Sequence, residues 1–208
     1  MKRVIEMALG VSLAGWAASG WGQSQSAQAA TAAEQLTESG RVDVDGHSTP
    51  YVIHRLPVDS FPDLPEPVVA VLTKRGCMIP QTYEAHRPEN VIHASLERAG
   101  SSDWAVLCAA KGTVSLMVFF GSEPSKPMVL ASAPATERMQ PYGASGELGF
   151  NWGIDPATPE QVHEAQAGLD RRPPPPAHDA LADSVIEHRT VYHFYARGAW
   201  TLLDMPDD

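Results

Sequence analysis

Long apolar runs are almost absent from this chain. The one uncharged stretch of note, Met7–Ala18, falls short of the about 20 residues that a membrane-spanning helix needs, and no second stretch approaches that length. Cations are scarce too: 15 Lys and Arg stand against 25 Asp and Glu, for a formal charge of −10. Such a balance repels phosphate backbones and anionic lipid heads, which argues against nucleic acid or a membrane surface as the main partner. Cysteine is limited to Cys77 and Cys108, and no long internal repeat is visible.

Local catalytic signatures are missing as well. There is no HExxH or comparable ligand spacing, no phosphate-cradling GxxxxGK[ST] and no dinucleotide-binding GxGxxG. Gly143-Ala-Ser145-Gly146 approaches a nucleophile elbow in letters, but it lacks the preceding apolar strand and the following helix. It reads as a turn ahead of a strand beginning at Glu147. Asp43-Val-Asp45-Gly46 begins like a calcium loop, yet the later ligands and the closing Glu are absent. A turn before the Tyr51–Leu56 strand explains it better. Histidines gather in two groups, His86, Glu89 and His93, then His178, Asp179, Glu187, His188 and His193, neither with a metal-site spacing. No catalytic residue, metal ligand or cofactor is therefore assigned.

What is present begins with an address. MKRVIEMALGVSLAGWAASGWG has a positive start at Lys2 and Arg3 and an apolar centre. Small residues Gly20 and Gly22 precede the polar stretch that follows. Residues 1–22 are expected to be a signal peptide, which places the protein in the periplasm or outside the cell. Residues 23–41 are expected to be a flexible leader, since Gln, Ser, Ala and Thr there show no apolar period. Residues 42–208 are then one α+β domain.

In an oxidising compartment the two cysteines read as one disulfide, Cys77–Cys108. Closing a loop of roughly 30 residues is worth about 3–4 kcal/mol by chain entropy. The alternative, a catalytic thiol, is opposed by position: Cys77 follows a helix end, and a helix C-terminus destabilises a thiolate.

Periodicity places the elements. Pro65–Arg75 reads as a short helix, with proline in its first turn, Val68, Val71 and Leu72 on one face, and Gly76 as the stop. Asp103–Ala110 and Thr113–Phe120 flank Lys111-Gly112, a two-residue hairpin in which paired residue numbers sum to 223. Both faces of that hairpin are apolar, so it belongs at the centre of a sheet covered on each side. Met128–Ala133 and Glu147–Ile154 read as further strands. Thr158-Pro-Glu-Gln161 is a capping box for a helix to about Ala167. Arg171–Pro176 reads as extended polyproline. Ser184–His188, Thr190–Ala196 and Ala199–Asp204 close the sheet, the last two as a hairpin that pairs Tyr195 with Trp200 and His193 with Leu202. The expected architecture is a mainly antiparallel sheet of five to seven strands with two short helices and one disulfide.

Gly76-Cys-Met-Ile-Pro-Gln81, Asn90-Val-Ile92, Asp103-Trp-Ala-Val-Leu-Cys108 and Tyr192-His-Phe-Tyr-x-x-Gly-x-Trp200 are similar to motifs of a family of uncharacterised exported bacterial proteins. The similarity spans roughly residues 65–204. It implies an export signal together with two recurring cysteines, and it assigns no activity.

The expected function is a non-catalytic binding or interaction module of the cell envelope, with an envelope protein or glycan as partner. The alternative is an envelope hydrolase that uses a His/Asp/Glu metal site or dispersed carboxylates. A deep pocket of convergent His, Asp and Glu favours the hydrolase. An exposed aromatic patch that includes Trp152 or Trp200 favours binding.

Overall fold

Two sheets, not one, organise the described residues. A computed structural model describes residues 36–144 and 146–206. The expected signal peptide, most of the expected leader, and Ser145 lie outside these residues.

In chain order the elements are β1 (Leu36–Val44), β2 (His47–Pro57), α1 (Glu66–Arg75), β3 (Met78–Gln81), β4 (Val91–Ala94), β5 (Asp103–Ala110) and β6 (Thr113–Phe119). They continue with β7 (Met128–Pro134), β8 (Met139–Tyr142), β9 (Glu147–Phe150), β10 (Trp152–Ala157), α2 (Pro159–Ala165), β11 (Ala180–Val185), β12 (Arg189–Ala196) and β13 (Ala199–Leu202). The larger sheet has nine strands in the order β7-β6-β5-β3-β2-β9-β8, with β1 paired to β2 and β4 paired to β5. The smaller has four, β10-β11-β12-β13. The α+β class, the two helices and the disulfide agree with the sequence reading. The single, mainly antiparallel sheet of five to seven strands agrees only in part: most pairs are antiparallel, but there are two sheets, of nine and four strands, and β2 pairs with β9 in parallel. No described helix is long and apolar enough to cross a membrane.

The β5–β6 hairpin carries the register read from its turn, with Trp104 opposite Phe119 and Ala110 opposite Thr113. Lys111 and Gly112 take φ of 51° and 79°, the left-handed pair such a two-residue turn needs. One face of the hairpin, with Val106, Cys108, Met117 and Phe119, packs against Val68, Leu72 and Cys77 from the α1 side. The other face, with Ala105, Leu107, Leu116 and Val118, packs against Trp152, Ile154 and Leu181 of the smaller sheet. Alternation along two strands thus builds two cores.

Helix α1 starts after Pro65 and ends on Gly76 in the left-handed conformation. The Gly76 and Cys77 amides close back on the Thr73 and Leu72 carbonyls. That closure delivers Cys77 to Cys108, and the two are joined at a Cα–Cα distance of 5.1 Å. Helix α2 has the expected capping box, with Thr158 and Gln161 exchanging hydrogen bonds. It ends two residues short of Ala167.

Strands β3, β4 and β8 were not expected, and three further regions differ from the reading. Glu147–Ile154 is two strands, broken where Asn151 turns the chain from one sheet into the other. The Asn151 amide donates to the Arg138 carbonyl, and its own carbonyl accepts from the Ile186 amide. The strand expected at Ser184–His188 begins at Ala180 instead. Residues 186–188 form the turn, with Glu187 at φ 60°. Strand β1 also begins at Leu36, ahead of the expected domain start at Val42. Strand β1 is polar yet pairs with β2 along its whole length, and Tyr51 lies over Gly40, where a Cβ would fall 2.8 Å from the ring.

Candidate functional site

Strand β3 runs straight from the disulfide into a loop, residues 82–89, that the chain closes with its own side chains. Buried Gln81 donates from Nε2 to the Ile79 and Glu89 carbonyls, both at 3.2 Å, and its Oε1 accepts from the Glu89 amide at 3.0 Å. The Glu89 carboxylate returns to the other end, accepting from the Thr82 amide at 2.8 Å. The loop's ends are therefore fixed before any ligand arrives.

Asn90 locks this loop to both sheets. Its Nδ2 donates to Pro80 O at 2.7 Å and Trp152 O at 3.2 Å, while its Oδ1 accepts from the Ile154 amide at 3.1 Å. Its backbone carbonyl accepts from the Leu107 amide. At φ 67° it sits where Asn is among the few residues tolerated.

A cleft of about 470 Å³ opens beside the loop, lined by His54, Thr82, Tyr83, His86 and Arg87 among others. Strand β2 supplies His54 opposite Gln81, and His54 Nδ1 lies 3.1 Å from Thr37 Oγ1 of β1. His86 and Arg87 are exposed on the loop. Beyond the rim, Asp155 has its pKa raised, chiefly by the protein crowded around it and then by the Glu89 carboxylate, with Arg87 opposing. The Arg87 charge therefore reaches Asp155, and among the described residues Arg87 forms no ion pair.

Tyr83 forms the aromatic wall. It stacks on Tyr142 at 5.3 Å between centroids, over Gly149, where an added Cβ would fall 2.5 Å from Tyr83 Cβ. Its hydroxyl donates to Glu187 Oε2 at 2.9 Å and accepts from Gln140 Nε2 at 2.7 Å. Desolvation first, then the Glu187 hydrogen bond and charge, pushes its pKa up to about 12. The ring is therefore a neutral, immobilised face at physiological pH.

The two histidine groups disperse. His93 stacks on Trp104 at 4.6 Å, with Nε2 2.7 Å from Ser102 Oγ. Glu89 is spent on Thr82. Asp179 accepts from the Ser95 amide, and His178 stacks on Phe194. His193 Nε2 lies 3.1 Å from Asp183 Oδ2, and Asp183 Oδ1 accepts from Trp152 Nε1 at 2.6 Å. That chain ties β10, β11 and β12 together. Among the described residues, no three His, Cys, Asp or Glu side chains are placed to hold a metal ion.

Two other residues named in the sequence analysis are structural. Asp103 is fully buried and accepts from the Leu96, Glu97 and Gly121 amides at 2.7–2.8 Å, and from the Ser101 hydroxyl. Trp152, one of the two tryptophans considered for a binding patch, is fully buried under Arg138, whose guanidinium carbon is 4.1 Å from the ring centroid. Trp200 is half-buried and packs with Phe120 and Tyr195. Gln81, Asn90 and the cleft itself were not singled out as functional from sequence. Gln81 and Asn90 do fall within the motifs that carry the family resemblance. Comparison with known proteins found no matching family model, no matching curated protein and no matching solved structure.

Proposed function

We propose that the protein is an exported, non-catalytic binding module of the cell envelope, and that the cleft beside loop 82–89 is its recognition site. The observation that carries this reading is a preorganised recess with donor groups on its rim. Its loop is held by the Gln81–Glu89 exchange, and His54, His86 and Arg87 surround the opening. Its volume falls in the range of small-ligand sites, about 300–1,000 Å³. Tyr83 adds a rigid ring of the kind on which a sugar packs. The ligand is a carboxylate-bearing segment of an envelope glycan.

Export is supported by the signal-like first 22 residues, by the resemblance to exported bacterial proteins, and by a disulfide compatible with an oxidising compartment. Calorimetric titration with soluble, carboxylate-bearing glycan fragments tests the proposal. Binding is expected, weakened at least tenfold by Arg87→Ala and left unchanged by Lys126→Ala. Cleavage of the fragments would replace it with the hydrolase reading, and no binding would remove it.

A further inference from the structure

We propose that a second cleft, beside the disulfide, binds a phosphate-class oxyanion through Lys74, Arg75 and Lys111. This cleft, about 310 Å³, lies between the end of α1 and the β5–β6 hairpin. Lys74 and Arg75 come from the last turn of the helix, and Lys111 comes from the hairpin turn. Thr113 adds a hydroxyl, as does Ser115, whose Oγ also lies 2.8 Å from Ser132 Oγ, and Cys108 and Met117 contribute an apolar floor.

Convergence is what sets this cleft apart, since Arg41, Arg87, Arg138, Arg171, Arg189 and Arg197 also lack an ion pair among the described residues. Arg55, Arg98, Lys126 and Arg172 each pair with a carboxylate. Among the described residues, none of the three cations at this cleft has a carboxylate within ion-pair distance. In a chain of net charge −10 they converge from two separate elements on one recess. The helix dipole accounts for Lys74 and Arg75 at the C-terminus of α1, but not for Lys111. The Cys77–Cys108 link holds the helix end against β5, so the cations cannot relax apart by moving the helix.

The donor set selects the ligand. A guanidinium fork, two ammonium groups and two hydroxyls match a tetrahedral dianion, which offers several oxygens and more than one charge. A carboxylate has two oxygens and one charge and leaves most of these donors unused. The shared chemistry is a phosphate or phosphate ester, either soluble or carried on a lipid headgroup.

The test titrates the oxidised protein with inorganic phosphate and glycerol phosphate, with acetate as control, following amide chemical shifts. In parallel, the protein is sedimented with vesicles of phosphatidylglycerol or of phosphatidylcholine. Shifts are expected at 74–77 and 111–115. Affinity should fall at least tenfold in the Lys74→Gln/Arg75→Gln/Lys111→Gln variant, while Lys126→Gln binds like the parent. These residues are exposed, so an unchanged melting temperature confirms that the variant is folded. Vesicle binding that requires the three cations supports the proposal with a lipid source. Phosphate binding without vesicle binding supports it with a soluble one. Equal binding of acetate, undiminished binding by the triple variant, or no binding in either arm overturns it.

Discussion

The two faces of the β5–β6 hairpin are held by different means. On the α1 face a ten-residue helix lays Val68 and Leu72 onto Val106 and Phe119, and one covalent link joins helix end to strand. On the other face a four-stranded sheet brings Trp152, Ile154 and Leu181 onto Leu107 and Leu116, with no covalent tie. There the orientation comes from buried polar groups, Asn90 between β3 and β10 and Asp183 between Trp152 and His193. A short helix buries too little surface to hold itself reliably, so it is stapled. A broad sheet face buries enough, and its polar groups choose the register.

The largest break in this comparison is expected from Trp152→Ala. It empties the interior of the sheet–sheet core and leaves Asp183 Oδ1 without its donor, for a loss of about 3–5 kcal/mol in urea unfolding. Replacing both Cys77 and Cys108 by Ala should cost about 3–4 kcal/mol, with the loss seen as a lower denaturation midpoint. Asn90→Ala comes next at roughly 1–3 kcal/mol, because it strands buried groups on Pro80 and Ile154. Unlike the cysteine change, it should also loosen loop 82–89, read as faster proteolysis there.

The smallest effect tests the cleft wall. Tyr83 is a weaker acid in the folded chain, about 12 against an ordinary 10. Its contribution is therefore fully present below pH 10 and is lost as pH rises towards 12. Tyr51 and Tyr142 are shifted in the same direction, each by burial first and then by a hydrogen-bonded glutamate. Tyr83→Phe should reduce the alkaline loss of stability between pH 10 and 12 without abolishing it. Unfolding midpoints at pH 8 and pH 11 give the comparison.

Where local chemistry decided structure, it could be read from the residues. Lys111-Gly112 and Arg197-Gly198 set the two hairpin registers, Thr158 and Gln161 capped α2, and Gly76 ended α1. Where tertiary context decided, it could not. The alanine-rich Ala180–Asp183 has little intrinsic strand preference and becomes a strand because neighbours on both sides bury it. β1 is too polar to show a period, and β3 and β8 each contain a proline. The break at Asn151 depends on hydrogen-bond partners distant in sequence, Arg138 and Ile186. The cleft was hidden for the same reason: His54 and the 82–89 loop meet only because β2 pairs with β3. The disulfide was legible because only two cysteines offered a pairing.

Hydrogen exchange of the protein before and after reduction tests most directly whether one face is stapled and the other packed. Reduction is expected to strip protection from amides 68–77 while those of β10, β11 and β12 keep theirs. Equal loss across both faces, or unchanged protection in α1, would contradict the account.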